Sequence, residues 1–303
     1  MISRFLLVLA LGLSSGAHGA DVAVVLSDSG GAYGEFATTF QQSAIPPGWR
    51  LRWVGTTESL DGAAFRADLI VAVGSEATRS SLKRSEGRPV LATLLPRQAY
   101  DRALGEAGAA RPRQVTAITL DQPLPRLMAF IRQLFPDKHK VGLLTGPDTR
   151  HLLPQIRAAA KEAGLVPEAE DVEGESTLVP ALGQLFAKTD LLLALPDASV
   201  YRRDNIRVIL LTSYRHQRPV IAFSQAFVTA GALAALYSTP SQMARQTAEL
   251  LRQLNPESIS LPSPQSPTLF SLAVNRNVAQ SLGLSLPDDA SLRRSIGADR
   301  EAR

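Results

Sequence analysis

The sequence of 303 residues contains no cysteine. This absence excludes a disulfide framework, a thiol nucleophile, a cysteine-ligated zinc site and an iron–sulfur cluster. After residue 20 the chain has no G-x-S-x-G, no phosphate-binding G-x-x-x-x-G-K-[ST] and no H-E-x-x-H motif, and no two histidines stand at a metal-ligand spacing on one predicted helix. We therefore expect no metal or cofactor and no enzymatic activity.

Long hydrophobic runs and a strong net charge are also missing. No apolar run approaches the roughly 20 residues that a membrane-spanning helix needs. The 32 basic side chains outnumber the 28 acidic ones by a net charge of only +4. Such a balance is untypical of a nucleic-acid-binding domain, so we expect no nucleic-acid partner.

Residues 1–20 have the layout of a secretory signal peptide. Arg4 precedes the apolar run Phe5–Leu13, and small residues follow. The run is too short for a typical uncleaved anchor, and no cysteine is present to carry a lipid. The pattern predicts cleavage after Gly19, with Ala20 as the alternative, and export to the periplasm.

The rest of the chain alternates strand-length apolar runs with segments of helical period. Runs such as Val22–Leu26, Asp68–Gly74 and Asp190–Leu195 are apolar almost throughout, which is typical of parallel strands with helices on both faces. The alternation restarts near residue 121. The sequence therefore predicts an α/β protein with two doubly wound parallel-sheet lobes in tandem.

In open α/β sheets, ligands bind beyond the carboxyl ends of the strands. The loops that follow the apolar runs are therefore candidate ligand contacts. Their polar or small members are Ser27, Ser29, Tyr33, Gly74, Ser75, Thr145, Asp197, Ser224 and Gln225. Each is equally interpretable as a plain turn residue or helix N-cap. The glycine-rich loop at residues 29–34 lacks G-x-G-x-x-G spacing, and no acidic residue ends the second strand, which disfavours a NAD site.

Several segments carry a family resemblance in their order and spacing. They are FVTAGALA at 227–234, ARQTAELL at 244–251, LFSLAVN at 269–275, AQSLGL at 279–284, ADLIVAVGS at 67–75 and FPDKHKVGLL at 135–144. Together they resemble ABC transporter substrate-binding proteins of the tryptophan/tyrosine type. The chain departs from the family pattern at residues 113–117, at Leu95-Pro96 and at residues 236–240.

The resemblance implies a type I periplasmic binding protein, with two lobes joined by three chain crossings. The first lobe would contain residues 21–120 plus 238–287, the second residues 121–236, and residues 288–303 would form a polar, partly ordered tail. The crossings would fall near residues 120–122, 234–237 and 264–269.

The resemblance also implies a function. The protein would be a monomeric solute-binding component of an ABC importer, clamping a small molecule such as an amino acid between its lobes for an inner-membrane permease. Tyr33, Tyr201 and Phe227 would supply an apolar wall. Asp197 would either pair with a ligand ammonium or cap the segment that follows it. The departures leave open an exported sensor or accessory protein of the same fold.

Overall fold

The computed structural model describes residues 19–43, 45–59, 66–108 and 114–296. The predicted signal peptide lies outside these ranges up to residue 18, as do residues 297–303 of the predicted polar tail. Within the described ranges, no helix has the length and apolar character needed to cross a bilayer.

The first part of the chain alternates strands and helices. Its elements are β1 (Ala20–Leu26), α1 (Gly31–Gln42), β2 (Trp49–Thr56), β3 (Leu69–Val73), α2 (Ser75–Arg84), β4 (Val90–Thr93), α3 (Arg97–Glu106) and β5 (Val115–Ile118). The five strands form one sheet in the order β2-β1-β3-β4-β5, and every neighbouring pair is parallel.

The second part repeats this arrangement. It contains α4 (Leu124–Leu134), β6 (Lys140–Thr145), α5 (Leu153–Glu162), β7 (Val166–Asp171), α6 (Glu175–Lys188), β8 (Leu191–Leu193), α7 (Arg203–Arg215), β9 (Val220–Ala222), α8 (Gln225–Ala230), β10 (Ala234–Tyr237), α9 (Pro240–Gln253), β11 (Ser271–Val274), α10 (Arg276–Ser281) and α11 (Asp289–Ser295). Its sheet has the order β11-β10-β9-β8-β6-β7, parallel except for the antiparallel edge pair β10–β11. The predicted α/β class with two parallel sheets is confirmed.

Helices cover both faces of each sheet, which explains why the strands are apolar on both sides. On one face of the first sheet, Phe36 and Phe40 of α1 pack with Met243 and Leu251 of α9. Helices α2 and α3 cover the opposite face. We call this sheet with α1–α3 and α9 the first lobe, and the other sheet with α4–α8, α10 and α11 the second lobe.

The carboxyl-terminal segment differs from its predicted place. The sequence predicted residues 238–287 in the first lobe, and α9 does pack there. Strand β11, however, pairs with β10 at the edge of the second sheet, and Ala279 is buried in the core of that lobe. The predicted polar tail contains α11, whose N-terminus is capped by Asp288 and whose Leu292 is 1% exposed. Leu292 docks this polar helix on the core of the second lobe together with Ile296, and Asp289 pairs with Arg276.

The three crossings between the lobes are hydrogen-bonded to one another. The Gln122 side chain donates from Nε2 to Ser238 Oγ over 2.9 Å, and the Ser238 hydroxyl donates to the Leu269 carbonyl over 2.7 Å. Gln122 and Ser238 are both buried. The second crossing follows β10 at residues 238–239, because residues 234–237 form a strand and not a connection. We call these linked crossings the hinge.

Candidate functional site

A cavity of about 1010 Å³ lies between the two lobes, at the carboxyl ends of both parallel sheets. Its walls come from the start of α1, the loop after β4, the hinge, and the loops after β8 and β9. The size lies at the upper end of the roughly 300–1,000 Å³ that small-molecule sites occupy. The geometry can therefore enclose an organic molecule with both lobes in contact with it.

Much of the cavity wall is apolar and stiff. Six prolines line it: Pro96, Pro123, Pro125, Pro196, Pro240 and Pro264. Because the pyrrolidine ring fixes φ, these segments lose little conformational freedom when a ligand binds. The rings of Tyr33, Phe223 and Tyr237 add aromatic surface. The wall is thus preshaped for a ligand with a substantial apolar part.

Three of the residues predicted from the sequence line this cavity: Tyr33, Ser224 and Gln225. The Tyr33 ring lies against Gly74, where an added Cβ would stand 2.5 Å from Tyr33 Cε1. Ser224 Oγ accepts the Phe227 N–H over 3.2 Å and caps α8. The Tyr237 hydroxyl donates to Gln225 Oε1 over 2.9 Å.

The other predicted residues of the first lobe lie outside the cavity wall. Ser27 Oγ donates to the Val73 carbonyl and accepts the Ala77 N–H, both over 3.0 Å, so this side chain joins β1 to α2. Gly74 is buried beneath Tyr33 at φ +91°, a conformation that favours glycine. Ser29 is exposed and Ser75 begins α2. These residues shape the turn at the sheet edge.

Asp197, predicted as a ligand or capping residue, is a structural centre of the second lobe. The carboxylate is 2% exposed, and its Oδ1 accepts the Ser199 hydroxyl over 2.7 Å and the Ser199 N–H over 3.0 Å. Its Oδ2 accepts the Thr149 hydroxyl over 2.9 Å. Burial raises the pKa of Asp197, but these hydrogen bonds more than offset that effect and hold the pKa below 3.8. The arrangement matches the capping alternative.

The surroundings of Asp197 explain a glycine in the facing loop. A Cβ on Gly146 would lie 2.6 Å from Ser199 Oγ and 2.8 Å from Asp197 Oδ1. Nearby, the hydroxyl of the predicted residue Thr145 donates to the Glu170 carbonyl over 3.4 Å and to Asp171 Oδ1 over 3.3 Å. Thr145 is buried and outside the cavity wall.

Tyr201 lies one layer behind the cavity. Its ring makes edge contacts with Phe223, at 5.7 Å between centroids, and with Phe227, at 6.0 Å. Of these three rings, Phe223 belongs to the cavity wall. The Tyr201 hydroxyl is buried without a hydrogen-bond partner among the described residues, and burial raises its pKa. Tyr201 therefore supports the wall from behind.

Asp121, a polar hinge residue that the sequence pattern did not single out, lines the cavity. Its Oδ2 accepts the Arg97 N–H at the start of α3 over 2.6 Å. The pKa of Asp121 lies above 3.8, because burial raises it more than the Arg97 N–H lowers it. One feature of the sequence could have identified Asp121. It is a charged residue inside a predicted crossing, and the crossings border the cavity between the lobes.

An ion pair bridges the lobes beside the cavity. Arg102 on α3 of the first lobe pairs with Asp148, which follows β6 in the second lobe. Asp148 Oδ2 also accepts the Ala198 N–H over 3.2 Å, and the Asp148 N–H donates to Asp197 Oδ2 over 3.1 Å. The partner of Arg102 is thus held in place by the Asp197 loop.

Solved structures share this architecture. A structure from Streptococcus pneumoniae, described as an ABC domain in complex with L-Trp, has 15% identity and a TM-score of 0.61, covering 91% of this chain and 98% of that one. The ligand-free, open structure of a Clostridium difficile substrate-binding protein with adhesive properties has 16% identity and a TM-score of 0.70, covering 89% and 97%. A conserved domain protein from Vibrio cholerae has 18% identity and a TM-score of 0.60, covering 91% and 98%. These likenesses show the periplasmic binding protein-like I fold.

None of the curated proteins matches the sequence of this chain. The family model for the ABC transporter substrate binding protein matches residues 63–295, which contain most of both lobes and the hinge. The chain belongs to the ABC transporter substrate-binding protein family.

Proposed function

We propose that this protein is the solute-binding component of an ABC importer and acts in the periplasm after removal of its signal peptide. The observation that carries this proposal is the cavity between the lobes, with walls from both sheets and the hinge. A molecule bound there contacts both lobes at once. Its binding therefore favours the closed arrangement over an open one, because the open arrangement loses the contacts with one of the lobes.

The closed form is what a permease would recognise. Closure fixes the relative orientation of the lobe surfaces around the cavity. The Arg102–Asp148 pair, with one residue on each lobe, stabilises that orientation directly. The linked hinge crossings limit the motion to a rotation of one lobe against the other. The permease would thereby distinguish loaded from empty protein.

The wall favours an organic cargo with a sizeable apolar body. The six prolines and the rings of Tyr33, Phe223 and Tyr237 give such a body a rigid, complementary surface. The neighbour from Streptococcus pneumoniae is in complex with L-Trp. Aromatic amino acids and related compounds are therefore the first candidates for the cargo.

Thermal unfolding of the mature chain, residues 20–303, in the presence of amino acids, amines, purines, sugars and organic acids tests the proposal. A ligand at 100 times its Kd adds about 2.7 kcal/mol and raises the midpoint by several degrees. A shift confined to one chemical class supports the proposal. No shift at millimolar concentration of any compound would overturn it in favour of a sensor or accessory role.

Two variants in which tryptophan replaces an alanine test whether the ligand binds in the cavity. Ala226 lines the cavity, and Ala226→Trp fills part of it with an indole ring. Ala158 lies on the exposed face of α5 outside the cavity, so Ala158→Trp is the matched control. We expect the ligand-induced shift to disappear in the first variant and persist in the second. Equal shifts in both would place the ligand elsewhere.

A further inference from the structure

The charge of the cavity wall is unbalanced. Two carboxylates line it, Asp121 in the hinge and Glu35 on α1. Glu35 Oε1 accepts the Ser241 hydroxyl over 2.7 Å and the Ser241 N–H over 3.2 Å, and Asp121 Oδ2 accepts the Arg97 N–H. These donors are neutral backbone and hydroxyl groups, so none of these contacts is an ion pair.

The cationic side chain of the wall pairs with a carboxylate outside the cavity, although its charge still lowers the pKa of Asp121. Among the described residues, Arg97 is the one cationic side chain that lines the cavity. Its Nε donates to both carboxylate oxygens of Asp101, over 3.0 and 2.9 Å, on the same helix. In the described part of the chain, neither Asp121 nor Glu35 forms an ion pair. The cavity therefore presents a net negative wall to its ligand.

Asp121 is the stronger of the two candidates for ligand contact. Glu35 is exposed, whereas Asp121 is half-buried where the hinge joins the two lobes. A carboxylate withdrawn from water gains more from an opposite charge than an exposed one does. Burial raises the pKa of Asp121 more than the N–H and the charge of Arg97 lower it, as expected of a carboxylate that no described cation contacts directly.

We propose that the cargo carries a positively charged nitrogen, which binds Asp121, on an apolar body that packs against the proline-rich wall. The proposal rests on the proposed solute-binding function and names the class of solute. A ligand with a carboxylate as its sole charged group would face two like charges and no unpaired cation. Two kinds of ligand match both the charge and the apolar surface of the wall: monoamines with an apolar body, and amino acids oriented with the ammonium toward the hinge.

Charge-matched probes test this class directly. Phenyl, indole, cyclohexyl and linear hexyl bodies are each supplied as the ethyl- or propyl-linked amine, alcohol and carboxylic acid, and Kd is measured by isothermal titration. We expect binding to be confined to amines, with each amine at least tenfold tighter than its own alcohol or acid. An acid or alcohol that binds as tightly as its amine would overturn the proposal.

A variant separates the charge of Asp121 from its contact with α3. Asp121→Asn keeps a carbonyl oxygen for the Arg97 N–H and removes the negative charge. Asp137→Asn makes the same charge change at an exposed site outside the cavity. We expect at least a tenfold loss of amine affinity in the first variant, none in the second, and equal unfolding midpoints without ligand. Unchanged amine affinity in Asp121→Asn would refute the role of Asp121.

The two proposals fail in different ways. If the broad panel yields a ligand that lacks a positively charged nitrogen, solute binding stands and the inferred class of cargo falls. If neither the broad panel nor the charge-matched probes bind, the proposed function itself falls, and the inference with it.

Discussion

Replacing Asp197 with alanine should destabilise the second lobe strongly. The carboxylate accepts five hydrogen bonds, from the Thr149 hydroxyl, the Ser199 hydroxyl and the backbone N–H groups of Asp148, Ser199 and Val200, over 2.7–3.3 Å. Each buried donor left without an acceptor costs about 1–3 kcal/mol, and water entering the vacated space recovers part of that. We expect Asp197→Ala to lower the free energy of unfolding by about 3–5 kcal/mol.

Urea unfolding followed by circular dichroism measures this loss. Asp197→Asn should lose less, because its amide retains one acceptor oxygen, and Asp137→Ala serves as an exposed control. Gly146→Ala should also destabilise, because its Cβ would stand 2.6 Å from Ser199 Oγ. A loss below about 1 kcal/mol in Asp197→Ala would refute the assignment of Asp197 as the structural centre of this loop.

The same residue makes stability depend on pH. The pKa of Asp197 in the folded protein lies below 3.8, so its contribution is complete above the unfolded carboxyl pKa of about 3.9. That contribution is lost as the pH falls through the lower folded-state pKa. The difference in unfolding free energy between the wild-type protein and Asp197→Asn should therefore shrink below about pH 4.

Three further substitutions test other contacts. Tyr201→Phe removes a buried hydroxyl without a partner among the described residues and should raise the free energy of unfolding by about 1 kcal/mol in urea titrations, with ligand affinity unchanged. Arg102→Ala removes the half-exposed partner of Asp148, a pair worth about 0.5–1 kcal/mol, and should weaken ligand binding about two- to fivefold by isothermal titration. Ser238→Ala leaves the Gln122 amide without its acceptor and should cost about 1–2 kcal/mol in urea, with a wider spread of lobe angles in small-angle scattering.

Much of the fold follows from local sequence pattern. The uninterrupted apolar run at residues 22–26 lies in strand β1, and the run at residues 68–74 contains strand β3. Strand β10 was missed because Ala234–Tyr237 was interpreted as a crossing. Its pairing with β11 brings together segments far apart in sequence, and the local pattern does not encode which lobe such an edge strand joins.

The site was less predictable than the fold. The rule that ligands bind beyond strand ends pointed to the edge of both sheets where the cavity lies, and Tyr33, Ser224 and Gln225 line that cavity. The rule does not tell whether a polar group at a strand end faces a ligand or binds its own chain. Ser27 accepts a hydrogen bond from the Ala77 N–H, and Asp197 accepts one from the Thr149 hydroxyl, and both donors lie about 50 residues away in the sequence. Asp121 also follows a strand, β5, but it stands in the first crossing and was not included among the strand-end loops.

The three crossings also constrain how the chain assembles. The first sheet is complete at β5, yet α9, which covers one of its faces together with α1, follows the whole run of strands β6–β10. The second sheet in turn receives its edge strand, β11, after α9. Neither lobe is a continuous segment, so cutting the chain between them yields two fragments that each lack part of a core. In a chain folding from its amino terminus, the part of the face of the first sheet that α9 covers stays exposed until residue 253 is available, so the two lobes complete their cores together.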